Sequence, residues 1–169
     1  MEFNDVVNSR YSVRKFSDKK VEKEKIERIM HCANVAPTAK NTNCVRVYAV
    51  TNEKVLEKFN SEVSPCIYGA TVVFAVCSDE SVSWKSDYSG SRGVMDASIA
   101  ADHIMLSAVN EGLGTCWVCL FTPDKLKEAL SIKDENIVPH CLIVCGYAAD
   151  DAMPSERHTM RIDRVTYVD

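Results

Sequence analysis

Two hydrophobic periods alternate along this chain. In KEKIERIMHCANVAP, which begins at Lys23, the residues Ile26, Ile29, Met30 and Ala33 recur at spacings of three, four and seven. That spacing predicts a helix, which Pro37 closes. A polar loop, TAKNTN, leads into RVYAVT, a short strand, and NEKVLEKF then predicts a small amphipathic helix capped by Asn52. TVVFAVC, residues 71–77, is a continuous apolar run of strand type, and residues 81–93, SVSWKSDYSGSRG, are loop by composition. The next stretch, VMDASIAADHIMLSAVNEG, is apolar nearly all round through Met95, Ile99, Ile104, Leu106 and Val109. It predicts a central helix, with Asp96 capping its start and Gly112 or Gly114 ending it. A strand (TCWVCLF), a helix with Thr122 as cap and Pro123 in first position, and a strong strand (IVPHCLIVCGYA) complete the pattern. Alternation of this kind predicts a layered α/β or α+β domain. The tail from Ala149 to Asp169 is polar, without periodicity, and must pack on something or stay disordered.

The bulk numbers narrow the classes. A length of 169 residues fits one domain spanning 1–169, with enough chain for a sizeable core. The formal net charge of −4, without a basic field, argues against nucleic acid as a partner. No apolar run approaches the roughly 18–20 residues of a membrane span. MEFNDVVNSR lacks the regions of a signal peptide, so the expected location is cytoplasmic. Eight cysteines are then expected as reduced thiols. Cys116 and Cys119 form a C-x-x-C, which raises metal or redox chemistry. Within a strand, however, an odd separation sends the two side chains to opposite faces, so packing roles and no metal site are expected.

NSRYSVRKF, residues 8–16, carries the first chemistry. Arg10, Ser12 and Arg14 are spaced two and two, so in an extended segment all three can face one ligand. Two guanidiniums and a hydroxyl converging on a point suit a phosphate or another multi-oxygen anion. A solvated basic stretch continuing to Lys19 and Lys20 is the other reading of the same spacing.

Three motifs in order resemble the nitroreductase family of flavin-dependent oxidoreductases: RYSVRKF, then APTAKN at residues 36–41, then GLGTCWV at residues 112–118. DASIAADHIMLSAVNEG is also similar to that family's long central helix. The resemblance implies an α+β sandwich with a mainly antiparallel central sheet flanked by helices. It further implies a homodimer whose C-terminal arms, here residues 149–169, wrap the partner, with FMN at the interface. By the same resemblance Arg10 would hold the FMN phosphate with Ser12 assisting, and Arg14 would lie nearer the pyrimidine edge. A cation there would stabilise the negative charge of a reduced ring. Pro37, Thr38, Ala39 and Asn41 would line the flavin from the other subunit. Val118, Cys119 and Leu120 would lie beside the ring, offering a backbone N–H near its N5. Arg157 would complete the phosphate site, with Arg161 as the alternative.

The implied activity is transfer of hydride from NAD(P)H through FMN to a small electron-poor acceptor such as a nitroaromatic or quinone. No residue set resembles a nucleophile with its base, as expected where a cofactor carries the chemistry. Two departures bear on the pocket. Asn43, Cys44 and Val45 stand where the family commonly has glutamine, proline and tryptophan, and Cys119 and Leu120 stand where many relatives carry glycine. They leave open a different flavin chemistry on the same fold (dehalogenation, desaturation or flavin cleavage) or a non-enzymatic flavin-binding, redox-sensing protein.

Overall fold

The structure is a computed structural model, and it describes residues 1–154, 166 and 168. The strong apolar runs become the middle of a four-stranded sheet. β1 (Val45–Val50), β2 (Val72–Asp79), β5 (Gly114–Val118) and β6 (Ile137–Gly146) lie in the order β1-β2-β6-β5, and every pairing is antiparallel. β2 is buried along its whole length, because both faces of the sheet are covered. Val72, Phe74 and Val76 point to one core with Ile143 and Cys145, while Val73 and Ala75 point to the other with Leu142 and Val144.

Helices supply the two outer layers. On one side α2 (Lys23–Asn34) and α4 (Gly93–Asn110) bring Ile29, Ala97, Ala101, Ile104 and Ala108 onto the sheet. On the other lie α3 (Glu53–Lys58), a π turn at Phe59–Val63, and α5 (Pro123–Ala129), which buries Leu126. Asn52 caps α3 by accepting the Val55 N–H at 3.3 Å, as its position predicts. The fold class is therefore the expected α+β sandwich. Among the described residues no helix is long and apolar enough to cross a membrane.

Five local expectations are corrected. A short helix, α1 (Phe3–Ser9), precedes the arginine segment and buries only Val6. The stretch read as loop contains a two-stranded hairpin, β3 (Lys85–Ser86) with β4 (Gly90–Ser91). Thr122 stands at the cap position of α5 without a side-chain bond to it. Asp96 does not cap α4: Arg92 is the cap residue, and Asp96 sits inside the first turn with only 3% of its surface exposed. α4 is also not buried all round. Val94, Met95 and Ile99 leave an exposed apolar face, with Met95 54% accessible.

Candidate functional site

The arginine segment lies along the outer edge of β5. Val13 donates its N–H to Thr115 O at 2.9 Å, and Ser12 bridges Thr115 in parallel. Val13 points inward and is buried, so its neighbours Ser12 and Arg14 turn the other way. Gly114 permits this approach: a Cβ there would stand 2.5 Å from Val13 Cγ2. Arg10 ends α1, its N–H donating to Val6 O at 3.1 Å. Burial pushes Cys116 above the ordinary thiol range, and Arg14, a hydrogen bond from Ser12, and Arg10 oppose that rise. Two guanidiniums and a hydroxyl on one short segment form a donor set whose chemistry fits a phosphate or a ring carrying negative charge.

Further along β5 the three remaining residues of that motif diverge. Val118 is buried, its side chain committed to the core with Leu126 and Leu142. Cys119 and Leu120 are exposed, Leu120 by 65%, beyond the strand's end. Only main-chain groups of Val118 can therefore face a ligand. Cys119 Sγ accepts the indole N–H of Trp117 at 3.2 Å, so the two cysteines of the C-x-x-C are separated, one buried and one exposed.

Pro37, Thr38, Ala39 and Asn41 belong to a different place. Pro37 and Asn41 are exposed, and Thr38 and Ala39 half-buried, on the loop that enters β1, the opposite edge of the sheet from β5. Three strand spacings, roughly 14 Å, separate the two edges. α4 also separates the loop from the start of the chain. Ala39 N–H donates to Asp96 at the start of that helix, while the N-terminal amine of Met1, ahead of α1, donates to Asn110 at its end. Fourteen residues of helix lie between them, about 21 Å of rise. The structure thus gathers Arg10, Ser12 and Arg14 beside β5 and keeps Pro37–Asn41 apart from them within one protomer. Arg157 and Arg161 lie outside the described residues. Ala149 and Asp151, at the start of the tail, pack on Lys15 through a main-chain bond and an ion pair.

The cavities add a negative observation. One of about 880 Å³ lies between α2, α3 and the end of β1, over Val21, Ile26, Leu56 and Ile67, and contains no predicted site residue. A smaller cleft of about 370 Å³ between α2 and β1 includes Thr38 and Asn43 but none of the arginine segment. Neither cavity joins the two motifs.

Sequence reasoning missed the residue that fixes the loop. Asp96 Oδ1 accepts Ala39 N–H at 3.0 Å, and its Oδ2 accepts the Cys44 thiol at 3.3 Å. Cys44 is fully buried, and burial first, then the Asp96 contact, push its thiol up and keep it a proton donor. The altered Asn43-Cys44-Val45 segment therefore turns its sulfur into the protein instead of toward a ligand. The helical spacing marks Asp96 as a helix-start residue but carries no sign of partners 57 and 52 residues away.

Comparison with known proteins bears on the family. The sequence pattern of the nitroreductase family matches residues 7–67 and 64–147. A curated relative from Methanothermobacter thermautotrophicus, named provisionally as NADH dehydrogenase/NAD(P)H nitroreductase, is 30% identical over 172 residues, covering 98% of this chain and 86% of its own. The crystal structure of a nitroreductase family protein from Clostridium difficile 630 is 32% identical with a TM-score of 0.90, covering 99% of this chain and 98% of that one. A nitroreductase with bound FMN from Bacteroides fragilis, 21% identical, shares the fold at a TM-score of 0.83 over 100% of both chains.

Proposed function

The chain belongs to the nitroreductase family, and from that premise we propose that it is a homodimeric FMN enzyme. In this reading it takes hydride from NAD(P)H and delivers it to a small electron-poor acceptor such as a nitroaromatic or quinone. The observation that carries the reading is the separation of the two motifs. Arg10, Ser12 and Arg14 stand at one edge of the sheet and Pro37–Asn41 at the other, so one ring can meet both sets only across two chains. The exposed apolar face of α4, with Val94, Met95 and Ile99, supports a second copy as the partner.

FMN, when bound, supplies two-electron transfer between a nicotinamide and an acceptor that dock in turn. The chain's own residues hold and bias it. Arg10 and Ser12 grip the phosphate, with Arg157 as a third contact. Arg14 sets positive charge at the pyrimidine edge, where reduction adds negative charge. Main-chain N–H groups of Val118 to Leu120 face the ring, and Leu120 narrows the approach to it. Pro37, Thr38, Ala39 and Asn41 of the second copy cover the other side, where asparagine offers both donor and acceptor. A cytoplasmic setting, with the eight cysteines as thiols, belongs to the same reading.

The visible spectrum of the purified protein, before and after anaerobic NADH, tests this reading. A yellow dimer that bleaches with NADH and regains colour with a quinone is the expected result. A colourless monomer, or bound flavin that neither NADH nor NADPH bleaches, overturns it.

A further inference from the structure

The loop that follows α2 is held under backbone strain. Lys40, Asn41 and Asn43 all take left-handed conformations, with φ of 54°, 56° and 52°. Asparagine tolerates this region, but Lys40 there costs about 1 kcal/mol or more, so its conformation persists only where its surroundings impose it. Part of the support is local: Thr38 Oγ1 accepts Asn43 N–H, and the Asn43 amide donates to Asn41 O, both at 3.0 Å. The far end is tied to β2, where Asp79 N–H donates to Cys44 O at 2.8 Å. Arg46 adds a bond to Asn43 O at 2.8 Å. Ala39, in the middle of the residues assigned to the flavin, is tied to α4 by Asp96.

We propose that Asp96 is a positioning residue for the flavin site: a buried bracket whose two carboxyl oxygens clamp Ala39 and Cys44 to the first turn of α4. The inference rests on the flavin reading given above. Two anchor points five residues apart fix both the place and the rotation of the loop, which a single apolar contact would leave free. A buried carboxyl is costly without partners, and the bracket supplies both of them. The placement on α4 has a second effect. Val94 and Met95 face outward immediately before Asp96 faces inward, so the loop is indexed to the same turn that offers the apolar face to a second copy.

The test uses the purified full-length chain, with and without FMN. Asp96→Ala is expected to raise the FMN Kd about tenfold or more, the effect of losing a buried charge-assisted anchor. In the FMN-free protein it should speed tryptic cleavage after the exposed Lys40 by a similar factor. Asp96→Asn keeps an oxygen for Ala39 N–H and should restore slow cleavage and near wild-type affinity, a rescue that mere loss of packing would not show. If Asp96→Ala does not fold, Asp96→Ser carries the same expectation, because its hydroxyl falls short of Ala39. Wild-type protein that takes up FMN, beside an Asp96→Ala or Asp96→Ser variant with equal affinity and equal cleavage, overturns the bracket alone. Wild-type protein that takes up no FMN overturns the flavin reading and the bracket's proposed ligand together.

Discussion

Arg10 to Arg14 lie along β5 through main-chain bonds and a glycine contact, whereas Pro37 to Asn41 hang from a buried side chain on α4. In the first arrangement the backbone and Val13 do the holding, and Ser12 and Arg14 point away from Val13. The second uses polar groups to hold a strained backbone, and offers a ligand mainly the exposed Pro37 and Asn41. A chain can thus present cations from an extended edge cheaply. A shaped cover needs brackets drawn from distant parts of the fold.

Four measurements would break or sharpen this contrast. The largest effect is expected from Arg10→Ala, which removes a charge-assisted contact of about 1.5–3 kcal/mol. FMN Kd should rise roughly ten- to hundredfold by equilibrium fluorescence, and an unchanged Kd would show the segment is not a phosphate grip. Next comes Gly114→Ala, whose new methyl collides with Val13. A loss of about 1–3 kcal/mol in urea unfolding is expected, partly recovered by adding Val13→Ala. If Gly114→Ala is neutral, the glycine contact does not hold the segment.

The third measurement compares two of the buried thiols. Cys44 and Cys116 both keep their protons in the folded chain above the ordinary thiol pKa, by burial first. The unfolded chain gives them up near about 8.5. Their stabilisation is complete below that pH and is lost as pH rises through the folded values. Cys77, Cys141 and Cys145, pushed up to about 12 by burial, add a decline of the same sign. Against that background Arg14→Ala should steepen the alkaline fall in urea midpoint, because Arg14 opposes the rise at Cys116, and Cys44→Ala should flatten it. The reverse pattern would mean that Arg14 does not face Cys116. The smallest change is expected from Lys40→Gly. Relief of its left-handed backbone should raise stability by at most about 1 kcal/mol, since glycine's greater unfolded freedom opposes the gain. A clear destabilisation would show that Lys40 is held by its side chain, which lies 5.9 Å from the Trp84 ring.

Legibility followed the same divide. β2 and β6 were readable because strands covered on both faces are continuously apolar, and α2 because its stripe recurs at helical spacing. The extended course of Ser12 to Arg14 was readable, and the structure lays that segment along β5 with Val13 turned inward. α1 was not, since seven residues with one buried side chain leave no period to detect. The hairpin at residues 85–91 was hidden because its strands are two residues each. The role of Asp96 was hidden by its long-range partners. The apolar circumference of α4 was read as a sign of burial, although one side of it faces outward at Val94, Met95 and Ile99.

The placement of the two motifs at opposite ends of α4 has a genetic consequence. If each pocket takes its arginines from one chain and its cover from the other, a mixed pair of an Arg10→Ala chain and an Asp96→Ala chain concentrates both lesions in one pocket. The other pocket is wild type throughout. Co-expressing two crippled alleles in equal amounts, with random pairing, would then restore about a quarter of the wild-type flavin sites, which neither allele supports alone, and this complementation would count the subunits per cofactor without a crystal.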